Sequence, residues 1–349
     1  MGHGMGGGGM GGGGGCGNAG VTGNCGLNVQ APATPNIVTP DIEFFRATFM
    51  GGNATIDGTN VAIWGFNDGG GGMGGMGGMG GSFPSPPIRV RQGQIVHTHL
   101  NVMMMAPHTI HHHGIEPDDH NDGVGHYSFD VLGNYTYQWR ASHAGTYFYH
   151  CHVNTVLHAE MGMYGALIID PSSGPGSASD GTSYDVEAIW AVDDIDTSWH
   201  CLPWDAALCG GDAGFNNFNP DLFCISGMGQ SELDADAGAA TPAVAINASR
   251  GDTVLLRYIM AGYVPQRVTF HRDLGDITIV AEDGRNLPQK VTLSAGSSIF
   301  MTAAERYEFI FSPSTSGNAI PIDIEYFNYR SVSGSLRSIG SITGYVNIN

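Results

Sequence analysis

Basic residues are scarce in this chain. Lysine and arginine number 13 among 349 residues, against 32 aspartates and glutamates, for a formal net charge of −19. A field of that sign repels nucleic acid and anionic membrane and draws cations, so neither nucleic acid nor a lipid surface is an expected partner. Long apolar runs are missing too: no stretch of about 18 apolar residues occurs, and no membrane span is expected. The opening residues, Met1 to Gly6, have neither the basic nor the apolar region of a secretory signal. An exported form is therefore expected to have lost its signal before this numbering begins. Cysteine is limited to six residues. Cys16 and Cys25 flank a glycine-rich loop, Cys201, Cys209 and Cys224 lie in another loop-rich stretch, and Cys151 stands apart between two histidines. Loop cysteines read as disulfide staples formed in an oxidising compartment, which suits an extracellular or periplasmic location; the alternative is that all are reduced and packed. Setting Cys151 aside leaves an odd set, so one loop cysteine has no partner.

Glycine is abundant instead, at 55 residues, concentrated in tracts at 1–15 and 69–81. Residues 1–37 read as a flexible Gly/Met-rich leader. From Asp41 the chain turns β-prone, at 42–49, 61–66, 88–91, 95–100, 135–139 and 146–150, and Gly162 to Asp170 closes the unit. Ser172–Ser183 has the composition of a linker. The second half repeats the manner at 184–192, 243–247, 253–259, 267–270, 277–281 and 307–311, and Gly251-Asp252-Thr253-Val254 parallels Gly93-Gln94-Ile95-Val96. No long amphipathic helix is evident. Many short strands separated by turn signals mean a sandwich or barrel. The expectation is an all-β chain of two tandem β-sandwich domains, at 38–171 and 184–349.

Of fifteen histidines, ten fall between His108 and His158. Such density needs a reason, because a buried imidazole must satisfy two ring nitrogens. One cluster is Pro107-His108-Thr109-Ile110-His111-His112-His113-Gly114; the other is Tyr149-His150-Cys151-His152, followed by His158 and Met163. Two imidazoles, a thiolate and a weak axial thioether make a blue-copper ligand set. Cys151, His158 and Met163 sit on one short segment that can loop around a metal, and His108 is the natural second imidazole from a neighbouring strand. A lone cysteine on a strand usually packs in a core, but the residues around this one match the ligand types. Side chains two apart on a strand share a face. His111 and His113 therefore point one way, as do His150 and His152, and Cys151 points opposite to its neighbours. One strand can then serve two metal sites, one on each face.

The H-x-H-G and H-C-H motifs, with the downstream histidine and methionine, resemble those of multicopper oxidases: laccases, ceruloplasmin and their bacterial relatives. The likeness is close over 41–170, and 184–349 resembles a cupredoxin repeat without copper ligands. It implies cupredoxin-like Greek-key sandwiches, with His108, Cys151, His158 and Met163 holding type 1 copper. It further implies His111 at a type 2 copper and His113, His150 and His152 at a type 3 pair. Asp122 matches the family's aspartate that assists proton delivery near the cluster, and Glu116 is a second candidate. The implied reaction is one-electron oxidation of a reducing substrate (a metal cation such as Mn(II), Fe(II) or Cu(I), or a phenol), with electrons passing through Cys151 to a cluster that reduces O2 to water. The acidity of the chain favours a small cationic reductant.

The chain departs from the family in two ways. The family's trinuclear cluster draws H-x-H pairs from two domains, whereas the second half of this chain has only His200 and His271. The missing half is expected from a second copy of the chain or from a partner domain, as a homo-oligomer or larger assembly, and not from 184–349 of the same chain. The seven-residue step from Cys151 to His158 lies between those of laccases and of copper nitrite reductases. Two alternatives follow: a copper nitrite reductase, or a non-enzymatic copper-binding protein that transfers electrons or builds an extracellular assembly. His97 and His99 also share a strand face. Met73, Met76 and Met79 are either soft Cu(I) ligands or incidental residues of a disordered tract.

Overall fold

The computed structural model describes residues 38–69, 82–103, 106–125, 127–204, 206, 218–328 and 334–349. Cys16, Cys25, Cys209 and the methionines of the Gly tracts lie outside the described residues. In the first half the elements are β1 (Ile42–Ile56), β2 (Thr59–Asp68), β3 (Ile88–Arg91), β4 (Ile95–Val102), β5 (His111–His113), β6 (Gly133–Arg140), β7 (Gly145–His150), α1 (Thr155–Glu160) and β8 (Tyr164–Asp170). They form two sheets, ordered β2-β1-β4-β6 and β3-β8-β7-β5. Between the sheets lies a core that includes Phe66, Val96, Leu100, Tyr137, Trp139, Tyr147, Tyr149 and Leu167. Alternation puts these side chains inward. On β6 every second residue, Tyr135, Tyr137 and Trp139, is buried, while those between are less so.

The second half has β9 (Val186–Ile195), β10 (Leu222–Ile225), α2 (Gln230–Ala237), β11 (Ile246–Ala248), β12 (Val254–Met260), β13 (Gln266–Phe270), β14 (Ile277–Glu282), β15 (Arg285–Leu293), β16 (Ser298–Met301), β17 (Arg306–Phe311), β18 (Gly317–Asn328) and β19 (Arg337–Ile348). Its sheets are ordered β10-β9-β12-β17-β14-β15 and β11-β19-β18-β13-β16, and they enclose a separate core around Trp190, Leu256, Phe270, Phe309 and Ile324. The architecture is the expected all-β pair of sandwiches. Strands β10, β15, β16, β18 and β19 were not anticipated; on β15, for example, most residues are exposed and no apolar alternation marks it.

The sandwiches are clamped together by polar groups. Arg257 on β12 is fully buried, held within its own sandwich by Glu187 (2.6 Å) and Glu308 (2.5 Å), and it donates across the seam to Thr146 on β7 (3.1 Å), whose hydroxyl donates to Glu308 (3.0 Å). Arg89 on β3 bridges Asp170 (2.7 Å) and Glu187 (2.6 Å), and Tyr164 donates to Asp193 at 2.6 Å. Ala178, within the stretch between the sandwiches, is buried, and Ser179 donates to Glu308 through both its N–H and its hydroxyl. Cys201 is disulfide-bonded, while Cys224 is a buried free thiol.

Candidate metal centre

Strand β7 ends at His150, and the chain then runs through α1 and re-enters the sheet as β8. The Cys151 N–H donates to the Met163 carbonyl (3.0 Å), and the Met163 N–H donates to the His158 carbonyl (3.0 Å), which closes the segment into a compact loop. His108 is delivered from the other side by a two-way backbone bridge to Val131 (3.1 Å each way). His108, Cys151, His158 and Met163 are all fully buried. The Nδ1 atoms of His108 and His158 stand 3.6 Å and 3.3 Å from Cys151 Sγ.

The His158 ring is held from behind. Its Nε2–H donates to the Trp204 carbonyl (3.1 Å), which leaves Nδ1 as a bare lone pair facing the sulfur. Asn154 Nδ2 donates to the same carbonyl (3.2 Å) and to that of Ala206 (2.8 Å). Burial pushes the Cys151 thiol up to about 12, against its hydrogen bonds with the backbone of Thr109 and Val153. Burial also lowers His158 to about 4, and burial together with His158 lowers His108 well below its ordinary value. Both imidazoles are thus neutral near pH 7, as a metal ligand must be. Neutral imidazole nitrogens, a sulfur and a buried thioether residue form the donor chemistry of copper.

On the opposite face, β5 pairs with β7 in antiparallel register, His111 against His150 and His113 against Phe148. Ring centroids of His111 lie 5.6 Å from His113, 5.2 Å from His150 and 5.4 Å from His152. His113 Nδ1 approaches His150 Nε2 at 3.2 Å. Donor nitrogens of His111, His113 and His150 all fall within 4.8 Å of one another, and the His152 ring stacks on His150 at 5.7 Å. Main-chain carbonyls again set the tautomers: His111 Nδ1 donates to Asp122 O (2.7 Å) and His150 Nδ1 to Cys151 O (2.9 Å), so both Nε2 atoms carry lone pairs, that of His150 facing His113 Nδ1. Burial drives His113 down to about 3 and His150 well below its ordinary value.

The structure therefore brings together the donor atoms of His108, Cys151 and His158 in one group and those of His111, His113 and His150 in another, with the His152 ring beside the second and Met163 tied to the first by its backbone bonds. Asp122 stands behind His111, its carboxylate 3.5 Å from Nδ1, and acts on that ring chiefly through its carbonyl. The turn that holds it reaches the Ile110 carbonyl so closely that any side chain at Gly123 would collide. Glu116 lines a different cavity, with Arg140, His143 and Arg285. His112 packs in the core against Trp139 and bonds Thr98 (3.0 Å). The tether formed by Asn154 and Trp204 carries no motif and escaped the sequence reading.

One expectation is overturned. The histidine set does face residues 184–349 of its own chain, across a cavity of about 230 Å³ whose far wall includes Met260, Ala261, Gly262, Tyr263, Ala303 and Ala304. Tyr263 donates to the Val156 carbonyl (2.7 Å) and fixes that wall beside α1. The interdomain clamp, invisible in the motifs, produces this docking. The wall adds no imidazole. His200 donates to Ala62 O (2.5 Å) and lies 3.4 Å from Glu160, and His271 accepts from the Asp273 N–H.

Residues 62–174 match the family model described as multicopper oxidase. The copper resistance protein A homolog of Pseudomonas syringae pv. tomato is 36% identical over 90 residues, 25% of this chain and 15% of that protein. L-ascorbate oxidase of Cucumis sativus is 35% identical over 124 residues, 34% of this chain and 20% of that one. The chain thus spans a fifth or less of the length of these relatives. The crystal structure of the blue copper oxidase from Nitrosomonas europaea superposes with a TM-score of 0.64 over 88% of this chain and 86% of that one, at 24% identity; that likeness is one of fold.

Proposed function

We propose, for a chain that belongs to the multicopper oxidase family, that His108, Cys151, His158 and Met163 hold type 1 copper in a copper-dependent oxidoreductase. The observation that carries this reading is the approach of two neutral Nδ1 atoms to 3.6 Å and 3.3 Å from one buried sulfur. Copper bound there would supply one-electron redox chemistry. The protein's part is to hold that geometry rigidly through a change of charge, and the Trp204 carbonyl and the backbone closure of the loop serve this. Cys151 joins the two faces: its sulfur belongs to one site, and its carbonyl holds the His150 ring of the other.

His111, His113, His150 and His152 are the residues we assign to type 2 and type 3 copper, with Asp122 orienting His111. The reaction we propose is oxidation of a small reducing substrate coupled to reduction of O2 to water. The net charge of −19 favours a cationic reductant. The missing imidazoles come, on this reading, from a second copy of the chain or a domain outside it. The apolar wall facing the four rings supports a second reading, an electron-transfer or copper-holding protein that reduces no oxygen. An extracellular or periplasmic setting suits the disulfide at Cys201.

Copper per chain, measured together with the assembly's mass, separates the two readings. Near four coppers per chain in an oligomer supports the oxidase; one copper per chain in a monomer leaves electron transfer. The type 1 assignment is tested by absorbance: a strong band at about 600 nm should vanish in Cys151→Ser, and an intense band surviving that change would refute it.

A further inference from the structure

Strand β4 carries a second group of histidines on its other face. Thr98 points inward, where its hydroxyl meets His112 (3.0 Å) and Trp139 (3.1 Å). His97 and His99 therefore point outward. Strand β1 runs parallel beside them in a register that sets Glu43 against His97 and Phe45 against His99. His99 Nε2 donates to the Glu43 carboxylate at 3.1 Å, its Nδ1 meets the Thr136 hydroxyl at 2.8 Å, and Phe45 stacks on its ring at 4.4 Å. The His99 ring is thus positioned on three sides.

His97 is the telling member. It is 8% exposed, and its Nε2 is buried without a hydrogen bond of good geometry, although the Val38 backbone and the Gln138 side chain both interact with the ring. A buried polar atom left without a good hydrogen bond is costly, and two imidazoles that share a face with a carboxylate suggest what would satisfy it. Donor atoms of Glu43, His97 and His99 all lie within 4.8 Å of one another. A tetrahedral ion at about 2.0–2.2 Å from each donor spaces its ligands about 3.3 Å apart. The Glu43–His99 pair is already at 3.1 Å, so only His97 has to close in.

We propose that Glu43, His97 and His99 form a mononuclear site for a divalent transition-metal cation of the zinc type, distinct from the copper ligands around Cys151. Two imidazoles and a carboxylate are a three-ligand zinc set that leaves a fourth position for water or a substrate group. That position opens to solvent, because the Glu43 and His99 side chains are 47% and 27% exposed. The acidic chain concentrates such cations at its surface.

The test uses the copper-loaded protein and Zn2+ alone as the probe, with bound zinc measured by equilibrium dialysis. Relative to wild type, Glu43→Gln and His99→Gln should each lose one zinc equivalent, with affinity at that site at least tenfold weaker. That is the least expected of a direct ligand when outer partners alone cost roughly 10–100-fold. Asp119→Asn, which alters the exposed Asp118–Asp119–His120 group, should keep that equivalent, and copper content should not change in any variant. In the wild type, Zn2+ should also protect His99 from diethyl pyrocarbonate, read by mass spectrometry. Identical zinc isotherms in wild type and the Glu43 and His99 variants, or unprotected His99 at saturating zinc, would overturn the proposal.

Discussion

Asn154 is the residue whose replacement best probes how the fold holds the Cys151 loop. It sits at φ 43°, ψ 54°, a left-handed conformation that asparagine tolerates better than most residues. Its side-chain amide donates two hydrogen bonds, to the carbonyls of Trp204 (3.2 Å) and Ala206 (2.8 Å). The Trp204 carbonyl is the group that orients His158. Asn154→Gly removes both bonds but keeps the backbone at ease, so about 1–3 kcal/mol of stability should be lost, at about 0.5–1.5 for each bond. Asn154→Ala removes the same bonds and adds roughly 1 kcal/mol of left-handed strain. Both variants free the carbonyl behind His158, and an outer-shell loss of this kind costs roughly 10–100-fold in metal affinity. The assays are urea unfolding of the apo protein and copper retention against a graded chelator. Wild-type stability and wild-type copper affinity in Asn154→Gly would show that the Trp204 carbonyl holds its place without Asn154, and the tether argument would fail.

Arg257→Met should destabilise the protein by about 3–5 kcal/mol, because buried Glu308 and the partly buried Glu187 lose their partner; adding Glu308→Gln should recover part of the loss, and thermal unfolding of the single and double variants checks this. The apo protein should lose stability as pH falls from 6.5 toward 4. His97, His108, His112, His113, His150, His158 and His200 all have folded pKa values below 6.5, so in that window the unfolded chain takes up more protons and stability rises with pH, by up to about 1.4 kcal/mol per unit for each group. Asp193, raised to about 6 by burial, and Glu160 and Asp194, raised well above the carboxylate range, work in the opposite sense, but three carboxylates do not cancel seven imidazoles; unfolding midpoints that climb from pH 6.5 to pH 4 would contradict the sign. Deleting residues 69–81 should reduce Cu(I) uptake if Met73, Met76 and Met79 are ligands, while leaving the band at about 600 nm in place; equal Cu(I) stoichiometry returns the tract to a linker.

The type 1 ligands could be read from the sequence because the loop from Cys151 to Met163 is local. Its residues need only one turn of chain to meet, and backbone bonds between Cys151, His158 and Met163 close it. The two-faced use of β7 was equally legible, since a period of two assigns each histidine a side without knowledge of the fold. Trp204 was not legible. It reaches His158 from an irregular segment in the other half of the chain, and what it contributes is a carbonyl, which every residue possesses. Strands β18 and β19 do alternate, with Ile320, Ile322, Ile324 and Tyr326 buried on one and Ile342, Gly344 and Val346 on the other; Pro321 inside the run on β18 and the glycines of β19 are residues that ordinarily argue against a strand. The docking of the second sandwich was hidden because it depends on pairwise polar matches across the seam, Arg89 with Glu187 and Thr146 with Arg257 and Glu308, that no spacing announces.

That docking bears on how any cluster beyond the type 1 site is completed. The unprotonated Nε2 atoms of His111 and His150 follow from carbonyl bonds on the far side of each ring, so these rings are oriented by the first sandwich alone. Their orientation does not depend on what stands opposite. The wall opposite is built from small residues, Ala261, Gly262, Ala303 and Ala304, with Met260 and Tyr263 beside them. Small residues fill little of the 230 Å³ between the rings and that wall, whereas bulky apolar side chains would have sealed the rings in. A wall of this kind keeps water and stray ligands from one side while leaving room for a metal and a small molecule. Ligands from a partner must then reach rings that already have the second sandwich across from them. The interface that completes a cluster is therefore sought along the rim of this cavity, rather than across the whole face on which the four histidines stand.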